Sequence, residues 1–314
     1  MYKSTKFYSG EKILILAREW NSWYPSAFNV SAGCYFFNIN EEIYIIDPGF
    51  NTLDIIVQNN LDLRLIRYIF VTHFHPDHFE NLTKLLTRLT SRTYKLTVYM
   101  NTTTLNQFEV YLKDNTEFIE LKPGNHLKIG SNNENRNFEI NLEITKSFHK
   151  EIGGYMNSIG LKFHLIPVES KNQSYKIGFM SDTDGLSAYM NHYEKFYDEC
   201  DILIPHIGAI HKNPNGYKHL YLSGIEELLG RIKNENKFIF LGEFGLELAN
   251  NNTFYNGLYR VISRKIPYTK LITNIYGIFF SQDSTISLKE KNSIVKLLVK
   301  ECEACLKKVN YKSI

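Results

Sequence analysis

The segment Thr72–His78 constrains the fold and chemistry of this chain more than any other part of it. It places three histidines and one aspartate within six positions, directly after the apolar run Leu65–Val71. Residues two apart in an extended segment point to the same side, so His73 and His75 are expected to hold one metal ion together. A histidine-rich surface loop is the alternative, and the ligand-type residues found later in the chain argue against it.

The second half of this segment predicts a second ion. Pro76 ends the extended run and turns the chain, so Asp77 and His78 are expected to face the second ion from the start of the next helix. Imidazole and carboxylate groups suit Zn²⁺ and similar metals. We therefore expect two divalent ions, with zinc as the first choice and manganese or iron as alternatives.

Short apolar runs alternate with amphipathic ones along the 314 residues, which predicts an α/β fold with sheets flanked by helices. The predicted strands are Glu42–Ile46, Leu65–Val71, Phe138–Ile144, Tyr175–Met180, Ile202–Ile207 and Phe238–Leu241. One predicted helix carries Leu82, Leu85, Leu86 and Leu89 on one face, and another, opened by a capping box of Ser223 and Glu226, carries Ile225, Leu228, Leu229 and Ile232. No linker divides the chain, so one domain is expected over residues 1–314, with a C-terminal helix at Ser293–Lys308.

Further ligand-type residues lie at or just past the ends of predicted strands. They are Asp47, His149, Asp182 and Glu243. Loops at strand ends are where a rigid scaffold brings side chains together from distant parts of a chain. We therefore expect these four residues to join the histidines of the first segment.

The His-x-His-x-Asp-His pattern, followed by these residues in this order, resembles the motifs of the metallo-β-lactamase superfamily from Ile46 to about Glu243. The resemblance implies a four-layer αββα sandwich. It implies that Asp47 supports the site from behind the ligands. It also implies that His149 completes three histidines on the first ion and that Asp182 bridges the two ions.

The last motif departs from the family pattern. A histidine normally follows the strand that corresponds to Phe238–Leu241, whereas this chain has Glu243 there. We expect Glu243 to take its place on the second ion with Asp77 and His78, which would move the metal preference toward Mn²⁺ or Fe²⁺. His206 is the competing ligand.

Two ions held in this way would bridge a water and lower its pKa, which gives a hydroxide nucleophile. The leaving group then needs an acid. His219 lies between a predicted strand and a predicted helix, upstream of Glu243, and this position resembles the ribonuclease Z branch of the superfamily. The resemblance implies that His219 protonates the leaving oxygen, and we expect His219 and Asp77 to be the catalytic residues.

Three functions remain open from the sequence. The first is a phosphodiesterase acting on RNA or on nucleotide phosphodiesters, including cyclic ones. The second is a lactonase-type hydrolase of a phosphorylated sugar, and the third is a metal-bound binding protein without turnover. The family's di-iron redox branch carries Glu where this chain has His75, so that chemistry is disfavoured.

The formal net charge of +3 is too small to predict nucleic-acid binding from bulk charge. The four cysteines include Cys302 and Cys305, a lone pair that supplies only half of a structural zinc site. The polar N-terminus and the lack of a long apolar run lead us to expect a cytoplasmic protein without a membrane partner. Its expected partner is a small-molecule or nucleic-acid phosphodiester, and a homodimer is left open.

Overall fold

The computed structural model describes residues 13–17, 34–58, 61–89, 94–108, 115–130, 136–168, 174–211, 219–232, 238–245, 270–272 and 278–279. The predicted C-terminal helix and its two cysteines lie outside these residues.

Within these described residues, fourteen strands form two seven-stranded sheets. The first sheet has the order β14-β1-β2-β3-β4-β5-β6, and the second has the order β13-β12-β11-β10-β9-β8-β7. The strands of the first sheet are β1 Ile13–Ala17, β2 Tyr35–Ile39, β3 Glu42–Ile46, β4 Ile66–Val71, β5 Leu96–Asn101, β6 Thr116–Leu121 and β14 Ile278–Phe279. Those of the second are β7 His126–Ile129, β8 Phe138–Lys146, β9 Ile159–Pro167, β10 Tyr175–Ser181, β11 Ile202–Pro205, β12 Phe238–Phe240 and β13 Lys270–Ile272.

The described helices follow these strands closely in sequence. They are α1 Thr52–Gln58, α2 Pro76–Phe79, α3 Leu82–Arg88, α4 Thr102–Phe108, α5 Ser187–Tyr197 and α6 Leu222–Arg231. Short 3-10 turns occur at Leu63–Leu65 and Ile152–Gly154. No described helix is long and apolar enough to cross a membrane.

The strands of the second sheet separate two hydrophobic clusters. In β11, Ile202 and Ile204 join the core that also contains the first sheet, whereas Leu203 joins the cluster with α5 and α6. In β12, Phe240 faces the first core and Ile239 faces the helices. Successive strand residues point to opposite faces, so this alternation places one face against the other sheet and one against helices. The predicted αββα arrangement is confirmed.

Parallel pairing positions the polar residues. Strands β3, β4, β5 and β6 are parallel neighbours in the first sheet, as are β10, β11, β12 and β13 in the second. Because parallel strands end at the same edge, Asp47, His73 and Asn101 gather at the edge of one sheet. Asp182 and Glu243 gather at the edge of the other.

The predicted strands and the two predicted helices that lie within the described residues are confirmed, with small shifts at their ends. Leu65 belongs to the 3-10 turn before β4, and Ile207 forms an isolated bridge to Phe244 after β11 has ended. The alternation predicted for Phe138–Ile144 is present in β8, where alternate residues are buried.

The prediction that Ser223 and Glu226 form a capping box is wrong. Helix α6 begins at Leu222, and its N-cap is Tyr221, whose side chain makes no capping bond. The chain enters this helix from a bridge between Tyr221 and Ala209, and the N–H of Leu222 donates to the carbonyl of Ile210. A backbone carbonyl therefore satisfies the first N–H of the helix, and Ser223 lies inside the helix.

Candidate metal centre

One group of donor atoms converges from three parts of the chain. It consists of His73, His75, His149 and Asp182, all buried, with one ligand atom from each lying within 4.8 Å of the others. His75 Nδ1 lies 3.1 Å from both His73 Nε2 and His149 Nε2. This group contains the three histidines and the aspartate expected for the first ion.

A second group lies directly beside it. It consists of four buried residues, His78, Asp182, His206 and Glu243, and one ligand atom from each lies within 4.8 Å of the others. Glu243 Oε2 lies 3.1 Å from His78 Nε2 and 3.2 Å from His206 Nδ1. The sequence left Glu243 and His206 as competing ligands, and the structure brings both to the same place.

Asp182 belongs to both groups. Its Oδ2 atom lies 3.5 Å from His73 Nε2 and 3.6 Å from both His149 Nε2 and His78 Nε2. Its Oδ1 atom lies 3.0 Å from His206 Nδ1. Asp182 therefore occupies the position expected of a bridging carboxylate.

Asp77 is buried at the edge of this arrangement. Its Oδ2 atom lies 3.7 Å from His78 Nε2, but neither of the two groups found within the described residues includes it. Its Oδ1 atom is buried with no hydrogen-bond partner among the described residues. The structure thus places Asp77 next to the second group, with one carboxylate oxygen unsatisfied.

Asp47 orients one of these histidines. The backbone N–H and the hydroxyl of Thr72 donate to its two oxygens at 2.7 and 2.8 Å, which ties the end of β3 to the end of β4. His78 Nδ1 donates to Asp47 Oδ2 at 2.9 Å. With Nδ1 held in this way, the Nε2 atom of His78 faces Glu243 and Asp182 and would offer its lone pair to an ion bound between them.

His73 is oriented by hydroxyl groups. Its Nδ1 atom lies 3.2 Å from Thr72 Oγ1 and 3.3 Å from Ser181 Oγ, and these hydroxyls lie 2.7 Å from each other. Ser181 and Asp47 both have left-handed backbone conformations, with φ of 56° and 52°. Such conformations are uncommon outside glycine and cluster at functional sites, where the surrounding structure holds them in place.

Glu151 connects the loops around the first group. Its Oε2 atom accepts from the backbone N–H of Phe74 at 2.9 Å and from Asn101 Nδ2 at 3.0 Å. Its Oε1 atom accepts from the N–H of Asn157 at 2.9 Å and from the Thr103 hydroxyl at 3.4 Å. Burial raises the pKa of Glu151, while these hydrogen bonds favour the carboxylate and oppose that effect.

His219 reaches the same cluster. Its Nδ1 atom lies 3.6 Å from Asp182 Oδ2, and its ring packs edge-on against His149 at a centroid distance of 4.8 Å. Gly208 makes room for it, since a Cβ there would lie 2.5 Å from the Cβ of His219. Unlike the buried ligand candidates, its side chain is 20% exposed. The structure thus places His219 where the donor groups meet solvent.

The charges and protonation states at the site favour binding of a cation. Burial lowers the pKa of His73 well below its ordinary value and that of His75 to about 4, so both present neutral rings with lone pairs. Burial would also lower the pKa of His206, but its hydrogen bonds to Asp182 and Glu243 raise it to about 9. The second group therefore attracts positive charge strongly enough to hold a proton there.

Divalent metal ions fit these residues. No Lys or Arg in the described part of the chain forms an ion pair with Asp77, Asp182 or Glu243, although all three are buried. Glu243 Oε1, like Asp77 Oδ1, lacks a hydrogen-bond partner among the described residues. Buried charges are ordinarily paired or bound to metals, and this set of imidazoles and carboxylates suits divalent transition metals.

Several residues at the site carry no sequence signal that would have identified them. Glu151 and Asn101 are ordinary polar residues in sequence, and Tyr35 lies in an apolar strand. Asn101 and Glu151 are 50 positions apart, and Tyr35 and its partner His206 are 171 positions apart. Only the fold brings them to the ligands, so local spacing could not identify them.

Comparisons with solved structures agree with this architecture. The metallo-beta-lactamase fold protein YhfI from Bacillus subtilis matches with a TM-score of 0.65 and 12% identity, over 85% of this chain and 98% of that one. Yeast PDE1 matches with a TM-score of 0.65 and 10% identity, over 86% and 100% of the two chains. The short form of human tRNase Z matches with a TM-score of 0.56 and 16% identity, over 85% and 99%. At these identities the likeness shows the fold.

The sequence itself identifies the family. No curated protein matches it at a significant level. The family described as the beta-lactamase superfamily domain matches residues 43–240, which is more than half of the chain and contains every candidate ligand except Glu243. The two sheets, the converging donor groups and this match together show that the chain belongs to the β-lactamase superfamily, whose metallo-β-lactamase fold is mostly used by metal-dependent hydrolases.

Proposed function

We propose that this protein is a dinuclear metal-dependent phosphodiesterase. The observation that carries the proposal is the pair of donor groups that share Asp182 and have His219 at their solvent-facing side. His73, His75 and His149 would hold one ion. His78 and Glu243 would hold the other with His206, and Asp77 lies beside them.

Two divalent ions bound there would lower the pKa of water and polarise a phosphoryl oxygen. The chain's own residues hold those ions in place and orient the ligands. Asp47 fixes the ring of His78, and the hydroxyls of Thr72 and Ser181 fix the ring of His73. Orientation of this kind lowers the cost of assembling the reacting groups.

His219 supplies the proton for the leaving oxygen in this proposal. It is a partly exposed imidazole at the cluster, so a substrate can approach it from solvent. Imidazole changes charge near neutral pH and serves as a general acid on that account. Asp77 is a second candidate for proton transfer because its Oδ1 atom has no hydrogen-bond partner among the described residues.

The chemistry of the leaving group favours a nucleotide phosphodiester as the substrate. A phosphodiester of a nucleotide releases a poor leaving group, a ribose hydroxyl, and such a group needs an acid at the position of His219. The fold shared with human tRNase Z supports this choice. A lactonase acting on a phosphorylated sugar and a metal-bound protein without turnover are the other outcomes of the test.

Metal-free protein should be supplied in turn with Zn²⁺, Mn²⁺ and Fe²⁺ and tested against bis-p-nitrophenyl phosphate, cyclic nucleotides, short RNA and a lactone panel. We expect hydrolysis of the phosphodiesters that depends on added metal. Hydrolysis confined to lactones would replace the proposed activity with the lactonase. Binding of both ions without turnover of any substrate would support the binding protein.

A further inference from the structure

We infer that Tyr35 is a positioning residue that fixes His206 with its Nδ1 lone pair toward the second metal ion. The inference rests on the proposed metal centre and adds a residue that no ligand motif contains. Its basis is one buried contact: Tyr35 Oη lies 2.8 Å from His206 Nε2, across 171 positions of sequence.

The two ring nitrogens of His206 have different surroundings. Nδ1 faces the second group, at 3.0 Å from Asp182 Oδ1 and 3.2 Å from Glu243 Oε2. Nε2 faces Tyr35 on the other side of the ring. A neutral imidazole carries one proton and one lone pair, so the state of Nε2 decides what Nδ1 can do.

Metal binding requires the tautomer that is protonated at Nε2. Only then does Nδ1 offer a lone pair to an ion shared with Asp182 and Glu243. The Nε2 proton is buried with the ring and needs an acceptor, and the phenol oxygen of Tyr35 is that acceptor.

The position of Tyr35 is fixed by both sheets. It is the first residue of β2 and pairs with Ile46, the last residue of β3. Its ring packs against Phe179 of β10 at 5.3 Å and against Phe240 of β12 at 6.4 Å. A phenol held from both sheets cannot follow a movement of His206, so it sets the orientation of that ring.

Gly242 supports the same interpretation. A Cβ at Gly242 would overlap the Tyr35 hydroxyl and lie 2.7 Å from His206 Cδ2. The backbone just before Glu243 therefore passes against the contact between phenol and imidazole, and only glycine leaves room for it. The backbone that leads to Glu243 thus packs against the contact between Tyr35 and His206.

The test is the affinity of the second ion in Tyr35→Phe, measured by competition with a coloured chelator for Zn²⁺. We expect the dissociation constant of the second ion to rise by roughly 10–100-fold, the usual effect of losing a group that orients a ligand, while the first ion is unaffected. The matched control is Tyr197→Phe, which removes a buried hydroxyl that donates to the carbonyl of Phe179 at 3.0 Å. This control should bind both ions normally.

A double-mutant cycle decides whether Tyr35 acts through His206. His206→Ala should weaken the second ion, and adding Tyr35→Phe should weaken it no further. Additive losses, an equal loss in Tyr197→Phe, or equal loss of both ions would overturn the inference. If wild-type protein binds fewer than two ions, the proposed function fails instead.

A spectroscopic measurement on the wild-type protein covers the case in which Tyr35→Phe does not fold. Histidine labelled with ¹⁵N reports which ring nitrogen carries the proton, and His206→Ala identifies the signal. In the zinc-loaded protein we expect the proton of His206 on Nε2. A proton on Nδ1 would contradict the inference.

Discussion

At the scale of single residues, His219 and the histidines of the two donor groups differ in what surrounds them. His73, His78 and His149 are fully buried and enclosed by other ligand candidates. His219 contacts the same cluster from one side and is exposed to solvent on the other. A residue so placed can meet a substrate without being needed to hold a metal.

The variant His219→Ala should therefore keep both ions and lose turnover. We expect kcat to fall by roughly 10²–10⁴ for substrates whose leaving group is a ribose hydroxyl, the usual range for a lost general acid. The fall should be small for bis-p-nitrophenyl phosphate, because p-nitrophenolate leaves without a proton. Steady-state kinetics on both substrates, with elemental analysis of the variant, measure this.

His126→Ala is the control, since His126 is an exposed histidine of β7 outside the donor groups. It should leave both activities unchanged. An equal loss on both substrates in His219→Ala would mean that His219 positions the phosphate group, and loss of an ion would mean that it is a ligand.

Glu243 gives a second prediction at this scale. Glu243→Gln removes the negative charge that faces His78 and His206. We therefore expect the variant to lose more affinity for the second ion than for the first, relative to the wild-type protein. Asp184→Asn is the matched control. Asp184 is also a buried acid, but it accepts from the N–H of Leu186 and belongs to neither donor group. Chelator competition on both variants should show a selective loss in Glu243→Gln, and equal losses would remove Glu243 from the ligand set.

At the scale of elements, the site depends on loops that are tied together behind the ligands. Glu151 joins the loop after β4, the end of β5, helix α4 and the segment before β9 through four hydrogen bonds. No single element would hold the His73–His75 loop in position by itself. A carboxylate is needed because both of its oxygens accept.

Replacing Glu151 with Gln should destabilise this arrangement. The amide has only one accepting oxygen, so donors that now reach the other oxygen lose their acceptor. We expect the free energy of unfolding to fall by about 1–3 kcal/mol, the cost of leaving a buried polar group unsatisfied. Urea unfolding of the metal-free protein measures this change.

Glu117→Gln is the control for Glu151→Gln. Glu117 forms an exposed ion pair with Lys95 at 2.8 Å, and such pairs contribute about 0–1 kcal/mol. Equal stability losses in the two variants would show that Glu151 is not specially required.

At the scale of the whole molecule, the candidate metal centre lies where the two sheets meet, and ions bound there should contribute to folding stability. The candidate ligands follow β4, β8, β10, β11 and β12, so unfolding would separate them. An ion that binds only the native state stabilises it by about 4 kcal/mol when free metal exceeds the dissociation constant a thousandfold.

Chelation should therefore lower the unfolding midpoint, and added metal should restore it. Thermal unfolding with and without a chelator, at constant pH and ionic strength, tests this. The double variant His73→Ala/His149→Ala is the control: its midpoint should respond less to the chelator. An unchanged midpoint in the wild-type protein would contradict tight metal binding by the native state.

Much of the fold and part of the site could be predicted from the sequence. Apolar runs and alternation predicted the strands around both donor groups, because the period of side-chain burial is a local property. The spacing of His73, His75 and His78 after an apolar strand is local too, so the start of the site was visible. The error at Ser223 arose because a tertiary bridge, rather than a side-chain cap, starts helix α6.

Only the tertiary structure shows that Glu243 and His206 lie together in the second donor group. Each follows its own parallel strand of the second sheet, and the pairing of β11 with β12 brings them together beside His78. The role of Tyr35 could not be predicted from the sequence either, since its partner His206 is 171 positions away and follows a strand of the other sheet. Local sequence determined which side chains are available and where strands end. The packing of two sheets determined which of them meet, because contacts across a folded core depend on both surfaces at once.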